Sequence, residues 1–383
     1  MKVLHVYKTF FPDTHGGLEE VIRQICLNAV DYGVESRIFA LSPKPSPSLL
    51  KVGGVSVVRA RQTFEVASCG FCFHGLGEFR EQAAWADVVH YHFPWPFADV
   101  MYLLHGSKTP SIVTYHSDIV RQRILQNLYR PLMYRFLGSM SRIIATSPNY
   151  RATSKVLDRF LDKVEVIPIG IDESCRPRQP DEGRLQALRD DVGENFFLFV
   201  GVLRYYKGLH FLLEAVKDAN YQVLIVGSGP MEKALKKQAK LMKLDNVRFC
   251  GYVDNDTKML LFQLCRGVVF PSHLRSEAFG VALLEGAMCG KPLLSTETGS
   301  GSSHINLNGK TGYVVPPGCP QALREGLDKL YYNPRRSAAM GQTARRRYLK
   351  LFGGRLMGER YAQVYREVLA ERELSAGRYA DSL

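Results

Sequence analysis

Paired cysteines are the first thing this chain of 383 residues lacks: its eight cysteines stand singly, apart from Cys69 and Cys72. Such spacing excludes a disulfide framework, and a lone C-x2-C without a second pair or neighbouring histidines does not make a zinc site. No stretch nears about 18 uninterrupted apolar residues, so no hydrophobic membrane-spanning helix is expected. A G-x-G-x-x-G turn after a strand is missing, which argues against a dinucleotide-dependent dehydrogenase. RNP, zinc-finger and helix-turn-helix signatures are missing as well, which leaves nucleic acid without a reader. The opening Met1–Lys8 alternates in polarity and soon meets Pro12. It reads as a first β-strand, not as a signal peptide, and a reducing cytoplasm is the expected location.

What is present is an ordinary globular composition, 46% hydrophobic and 23% charged, long enough for two domains. The net charge of +13 speaks to partners. From Arg121 to Arg142 there are five arginines and no acidic residue, interleaved with Leu125, Leu128, Tyr129, Leu132, Met133, Tyr134, Phe136 and Leu137. A second basic run holds Arg335, Arg336, Arg345, Arg346, Arg347 and Lys350. Such runs are often solvated helix faces. The first, with its long apolar side chains, also suits an anionic membrane surface.

Strand-like runs alternate with longer helix-like segments, the pattern of parallel sheets crossed by helices and hence of an α/β fold. Strands are expected near Val3–Tyr7, Ser36–Ala40, Val55–Arg59, Val88–His92, Ser111–Tyr115, Arg142–Thr146 and Val164–Pro168. The pattern restarts at Phe196–Val200, Gln222–Val226, Val247–Cys250, Gly267–Phe270 and Pro292–Ser295. A polar, Pro-bearing stretch between the halves reads as a linker. The expected division is 1–172 for a first domain, 173–190 for the linker, 191–354 for a second domain and 355–383 for a closing amphipathic helix.

Chemistry concentrates in a few segments. Ser276-Glu277-Ala278-Phe279-Gly280-Val281-Ala282-Leu283-Leu284-Glu285 carries two glutamates eight positions apart. On one helix that step is two turns plus about 80°, so the carboxylates would not stack. A helix starting near Phe279-Gly280 places Glu277 in the entry loop and Glu285 in the second turn, with Val281, Leu284 and Met288 as its packed stripe. Backbone N–H groups at Phe279, Gly280 and Val281 would then face an anion. On spacing alone, an amphipathic helix with solvated glutamates, or glutamates paired with Arg275 or Lys291, is the simpler reading.

Phe199-Val200-Gly201-Val202-Leu203-Arg204-Tyr205-Tyr206-Lys207-Gly208 ends a strand in a glycine and sets two cations three residues apart, a means of neutralising a diphosphate. Gly16-Gly17 lies between the first strand and a helix, where backbone can approach a ligand, although a plain turn is equally consistent. Gly227-Ser228-Gly229-Pro230 is another strand-to-helix turn, and Gly251-Tyr252-Val253 follows a later strand. Asp254-Asn255-Asp256 matches a metal-binding D-x-D but reads better as a loop and helix N-cap. His116 ends a strand at what would be the carboxyl edge of a parallel sheet, where ligands bind in open α/β folds. A satisfied core histidine is the plainer alternative.

Taken together these segments resemble the E-x7-E signature of retaining nucleotide-sugar glycosyltransferases of the fourth sequence family. That resemblance implies the GT-B architecture, two Rossmann-like domains facing each other across a cleft, with a C-terminal helix crossing back to the first. It implies donor contacts from Glu285 to the ribose, from Arg204, Lys207 and the amides of Phe279, Gly280 and Val281 to the diphosphate, from Glu277 to the sugar hydroxyls and from Val253 beside the base, with Ala278 also among the donor-binding residues. Gly16 and Gly17 would cap the donor diphosphate, and His116, Asp118 and Arg121 would meet the acceptor. The catalytic group would comprise His116, Arg204, Lys207 and Glu277. Val202 stands where the family usually has an arginine, and Arg204 is the candidate substitute. The chain is most similar to bacterial transferases of surface-polysaccharide and O-antigen assembly. The resemblance therefore implies a GDP-linked mannose or D-rhamnose donor, a lipid-diphosphate-linked saccharide acceptor, a peripheral place on the inner face of the cytoplasmic membrane, and no metal or other cofactor. A UDP-hexose transferase or a nucleotide-sugar epimerase of the same fold is the rival within catalysis. A non-catalytic basic protein of the membrane surface is the rival outside it.

Overall fold

Alternating strands and helices build two α/β units, one of Met1–Gly170 with Gly354–Leu383 and one of Ile171–Gly353. This computed structural model describes the chain except residues 67–68, 74, 106–108, 120–122, 176–181 and 381–383, and except the side chains of 123–126, 175 and 375–380.

Among the described residues the first unit holds β1 (Lys2–Val6), β2 (Glu35–Ser42), β3 (Leu49–Val52), β4 (Val55–Arg61), β5 (Phe64–Val66), β6 (Cys69–Phe71), β7 (Val88–Phe93), β8 (Ser111–Tyr115), β9 (Arg142–Ala145) and β10 (Val164–Val166). Eight of them form one sheet in the order β10-β9-β8-β7-β1-β2-β4-β3, and β5 pairs with β6 alone. All pairings in the large sheet are parallel except β3 with β4. Central strands buried on both faces need continuous apolar runs. β7 is buried from end to end although it carries His90 and His92. The strand order reverses between β1 and β7, which makes the carboxyl ends of those strands the ligand-binding crevice of such a sheet.

The closing helix Gly354–Ala380 belongs to this first unit. Tyr365 and Tyr361 are buried on it, and their hydroxyls bond His90 Nδ1 at 2.7 Å and Thr114 Oγ1 at 2.9 Å. Fixed polar contacts between a sheet and one helix face define the docking of that helix.

The second unit has β11 (Phe197–Val200), β12 (Val223–Val226), β13 (Val247–Gly251), β14 (Gly267–Phe270), β15 (Leu293–Thr296) and β16 (Gly312–Val315) in the order β13-β12-β11-β14-β15-β16, all parallel. Its core gathers Phe197, Phe199, Val223, Ile225, Val269 and Leu294 with Leu212, Leu213, Leu323 and Leu327 of the covering helices. Here the order reverses between β11 and β14.

Several expectations need correction. The stretch 173–190 is not a free linker: the helix Glu182–Val192 begins inside it and Arg184 bonds Asp254 at 2.8 Å. β3, β5, β6 and β16 were not foreseen. β3 is the first arm of a hairpin turning on Gly53 and Gly54, whose positive φ of 54° and 90° suit a tight turn. The helix Pro148–Thr153 that follows β9 is short, because Ser154 turns extended and donates its hydroxyl to Asp118.

Candidate functional site

The carboxyl edge of the second sheet holds a buried charged pair. Lys207 follows β11 and Glu277 follows β14, so the reversal of strand order brings residues 70 positions apart in sequence to one spot. Their side chains form a buried ion pair, each residue 9% exposed. Burial pushes the Lys207 ammonium down, but the Glu277 carboxylate, helped by Tyr206, more than reverses this and holds it above its usual range. Phe270 lies under the ammonium at 4.7 Å, and Ser272 Oγ donates to Glu277 Oε2 at 3.3 Å. Gly208 closes the Lys207 turn with φ of 68°; a Cβ there would sit 2.1 Å from the carbonyl oxygen of Pro271, so only glycine fits.

Glu277 lies in the loop before the helix Val281–Met288, and Glu285 in the second turn of that helix. The helix starts one residue later than Gly280, which is its N-cap with φ of 99°. Its burial is not a stripe: every residue from Ala282 to Met288 is buried, while Val281 is partly exposed. Among the described residues the N–H groups of Phe279 and Gly280 meet no protein acceptor. The carbonyl of Ala278 accepts from Gly301 N–H at 2.8 Å. Unpaired amides at a helix start, beside a buried ammonium, form an anion-binding corner.

Glu285 pairs with Lys258 at 2.5 Å, not with Arg275 or Lys291, which bond the carbonyls of Gly299 and Gln263. Lys258 sits in the helix Asn255–Leu264, whose N-cap is Asp254: its carboxylate accepts from Thr257 N–H at 2.9 Å. Val253 lies in the turn just before it, partly buried. Arg204 is exposed with an extended backbone, and its guanidinium has no hydrogen bond or ion pair among the described residues. Val202 stands two residues away, 36% exposed.

In the first unit, Gly16 caps the helix Gly17–Ala29, which follows β1. The loop ahead of it is anchored by Arg59, 5% exposed, whose guanidinium holds Asp13 through bonds of 2.8 and 2.7 Å. Sequence reasoning missed that anchor. His116 follows β8, 3% exposed, with its N–H bonded to the carbonyl of Phe93. Burial lowers its pKa to about 3, so the ring is neutral across the physiological range. Its Nε2 lies 3.0 Å from His92 Nδ1, and His92 Nε2 lies 3.1 Å from His5 Nδ1. The H-x-H of β7, read at the strand period of two, was the signal for this row. Asp118 is held in place, its Oδ1 accepting from Tyr115 and Ser154 at 2.9 and 2.8 Å. Arg121 lies outside the described residues.

The basic segment is less open than its sequence suggests. Met133, Phe136 and Leu137 are buried, and Arg142 is paired with Glu165 and Glu371. Leu128 is 81% exposed, and Arg130 and Arg135 are exposed beside it. No described helix is long and apolar enough to cross a membrane.

Known proteins agree with this geometry. Residues 15–174 match Glycosyltransferase Family 4 and residues 184–347 match Glycosyl transferases group 1. D-rhamnosyltransferase WbpZ of Pseudomonas aeruginosa is 51% identical over 92% of this chain and 92% of its own. O-antigen chain mannosyltransferase C of Escherichia coli is 44% identical over 97% of this chain and 100% of its own. Among solved structures, Anabaena HepE in complex with UDP and glucose superposes with a TM-score of 0.77 at 19% identity, covering 96% of this chain and 100% of that one. Two parallel-sheet units, a charged corner at the strand reversal of the second and a relative 51% identical over 352 residues thus converge: the chain belongs to the GT-B glycosyltransferases, with a family-4 first domain and a group 1 second domain.

Proposed function

We propose that this chain is a retaining hexosyltransferase that moves mannose or D-rhamnose from a GDP-sugar to a lipid-diphosphate-linked saccharide during O-antigen assembly. The buried Lys207–Glu277 pair beside the unpaired amides of Phe279 and Gly280 carries the reading. A diphosphate placed there meets an ammonium and two N–H donors already in position, which is where a leaving group's charge develops. Glu277 then takes sugar hydroxyls, Glu285 the ribose, and exposed Arg204 a further phosphate oxygen. The choice of sugar and pathway rests on the rhamnosyl- and mannosyltransferase relatives.

In the proposed chemistry the acceptor oxygen bonds to the anomeric carbon on the face from which the phosphate oxygen departs, and that oxygen receives the acceptor's proton. The protein's cations and amides offset the leaving charge, so no metal is required. His116, Gly16 and Gly17, with Asp118 and Arg121, supply the acceptor side. Leu128, Arg130 and Arg135 offer an anionic membrane a small basic and apolar contact at the cytoplasmic face, each cation there contributing on the order of 1 kcal/mol.

The test is turnover of GDP-mannose, GDP-rhamnose and UDP-glucose with a lipid-diphosphate saccharide in EDTA, with the product anomer read by NMR. A GDP-sugar should be consumed with its anomeric configuration kept. Preference for UDP-glucose, an inverted product or rescue only by Mg²⁺ or Mn²⁺ would each overturn the corresponding part. Sedimentation with anionic vesicles, absent with neutral ones or at high salt, checks the membrane contact.

A further inference from the structure

A row of buried histidines runs into the sheet behind His116. His116 Nε2 faces His92 Nδ1 at 3.0 Å, and His92 Nε2 faces His5 Nδ1 at 3.1 Å. His116 and His92 lie nearly parallel, as do His92 and His5. The row begins at His116 Nδ1, which no protein group among the described residues engages, and ends at His5 Nε2, buried without a partner. His90, on the same face of β7, cannot relieve that end: its nitrogens are committed to Tyr365 and Thr114.

Burial keeps all three rings of the row neutral. Each neutral imidazole carries one hydrogen, so three hydrogens are shared along the row. Each of the two N···N gaps needs one, since two lone pairs or two N–H groups face to face repel. The third hydrogen must sit at one end, on His116 Nδ1 or on His5 Nε2. At His5 it would be a stranded N–H donor in the protein interior, whereas a bare nitrogen there is a lone pair without a donor; an orphaned buried N–H is the rarer of the two faults.

We infer that His92 and His5 are positioning residues that hold His116 in its Nδ1–H tautomer, making it a hydrogen-bond donor to an oxygen of the bound sugar or acceptor hydroxyl and not a base. Free imidazole side chains in water favour the opposite tautomer, so the row changes what His116 presents. The consequence rests on the reading of His116 as a transfer-site residue; the tautomer itself does not.

The test is a long-range ¹H–¹⁵N correlation on the full chain labelled at histidine, with His116 assigned by the loss of its signals in His116→Ala. The expected spectrum shows His116 Nδ1 protonated and Nε2 bare; the reverse pattern overturns the inference without any variant of the row. His92→Phe removes the partner nitrogen and should lower kcat at least tenfold with the donor KM within twofold. His92→Asn, which keeps an amide N–H near the Nδ1 position, should stay within threefold of the parent. Folded His92→Phe enzyme with full kcat overturns the positioning role. Full activity in His116→Ala would instead remove His116 from the transfer site and leave the spectrum to decide the tautomer.

Discussion

Replacing Lys207 by Met keeps most of the side-chain stem and deletes the charge, and the surroundings of Lys207 fix what should follow. Glu277 is left as a buried carboxylate, 9% exposed, with Ser272 as its remaining hydrogen-bond partner among the described residues. Breaking one side of such a pair costs about 3–5 kcal/mol. In a unit of this size that lowers its melting temperature by about 6–20 °C. Catalysis should fall for a separate reason, since one preorganised contact to a leaving phosphate is worth about 3–4 kcal/mol, a hundredfold or more in kcat. The double variant Lys207→Met/Glu277→Gln removes the stranded charge and should recover most of the lost stability while activity stays down. Calorimetry and single-turnover kinetics at saturating donor on all three proteins separate the two effects. A single variant that melts like the parent would refute the buried-pair argument. One that transfers sugar within tenfold of the parent would refute the phosphate assignment.

Gly280→Ala should cost about 1–3 kcal/mol, because φ of 99° is held there and the new Cβ would lie 3.1 Å from Phe270 and 3.2 Å from Leu283; donor KM should rise with it, and an unchanged melting curve would count against the strained N-cap. Asp254→Ala should cost about 0.5–2 kcal/mol at pH 7 through loss of the helix cap. The hydrogen bonds from Thr257 hold the Asp254 carboxyl below its usual pKa of 3.8, so its contribution is full above that value and fades as pH falls through the depressed one. Melting curves of parent and variant should therefore converge in acid; a constant gap from pH 7 to pH 2 would contradict this.

Local pattern carried most of the fold. Alternating strand and helix signals located the central strands, and the glycine-ended strands marked the carboxyl edge of the second sheet. The glutamate pair fell where spacing put it, one in a loop and one inside a helix. Partners were another matter. Nothing near Lys258 in sequence points to Glu285, 27 positions on, because the ion pair is made by packing two helices together. The mutual pairing of Lys207 and Glu277 likewise depends on strand order, which periodicity does not encode. Burial of Met133, Phe136 and Leu137 turned part of a basic, apolar segment inward. By contrast, the Gly53-Gly54 hairpin and the H-x-H of β7 were legible in the sequence and went unread.

The docking of Tyr361 and Tyr365 onto Thr114 and His90 has a consequence for biosynthesis. Domains usually mature in the order in which the ribosome delivers them. Here the first unit is discontinuous and needs the last part of the chain, whereas the second is complete once Gly353 has emerged. At ordinary translation speed about 10–40 s separate the emergence of Gly170 from that of the helix that closes the first unit. During that interval the polar side chains of His90 and Thr114 are without their covering hydroxyls. The nascent chain therefore finishes its middle before its beginning, and a premature stop between Gly353 and Tyr361 would release a protein whose second unit is intact and whose first is unfinished.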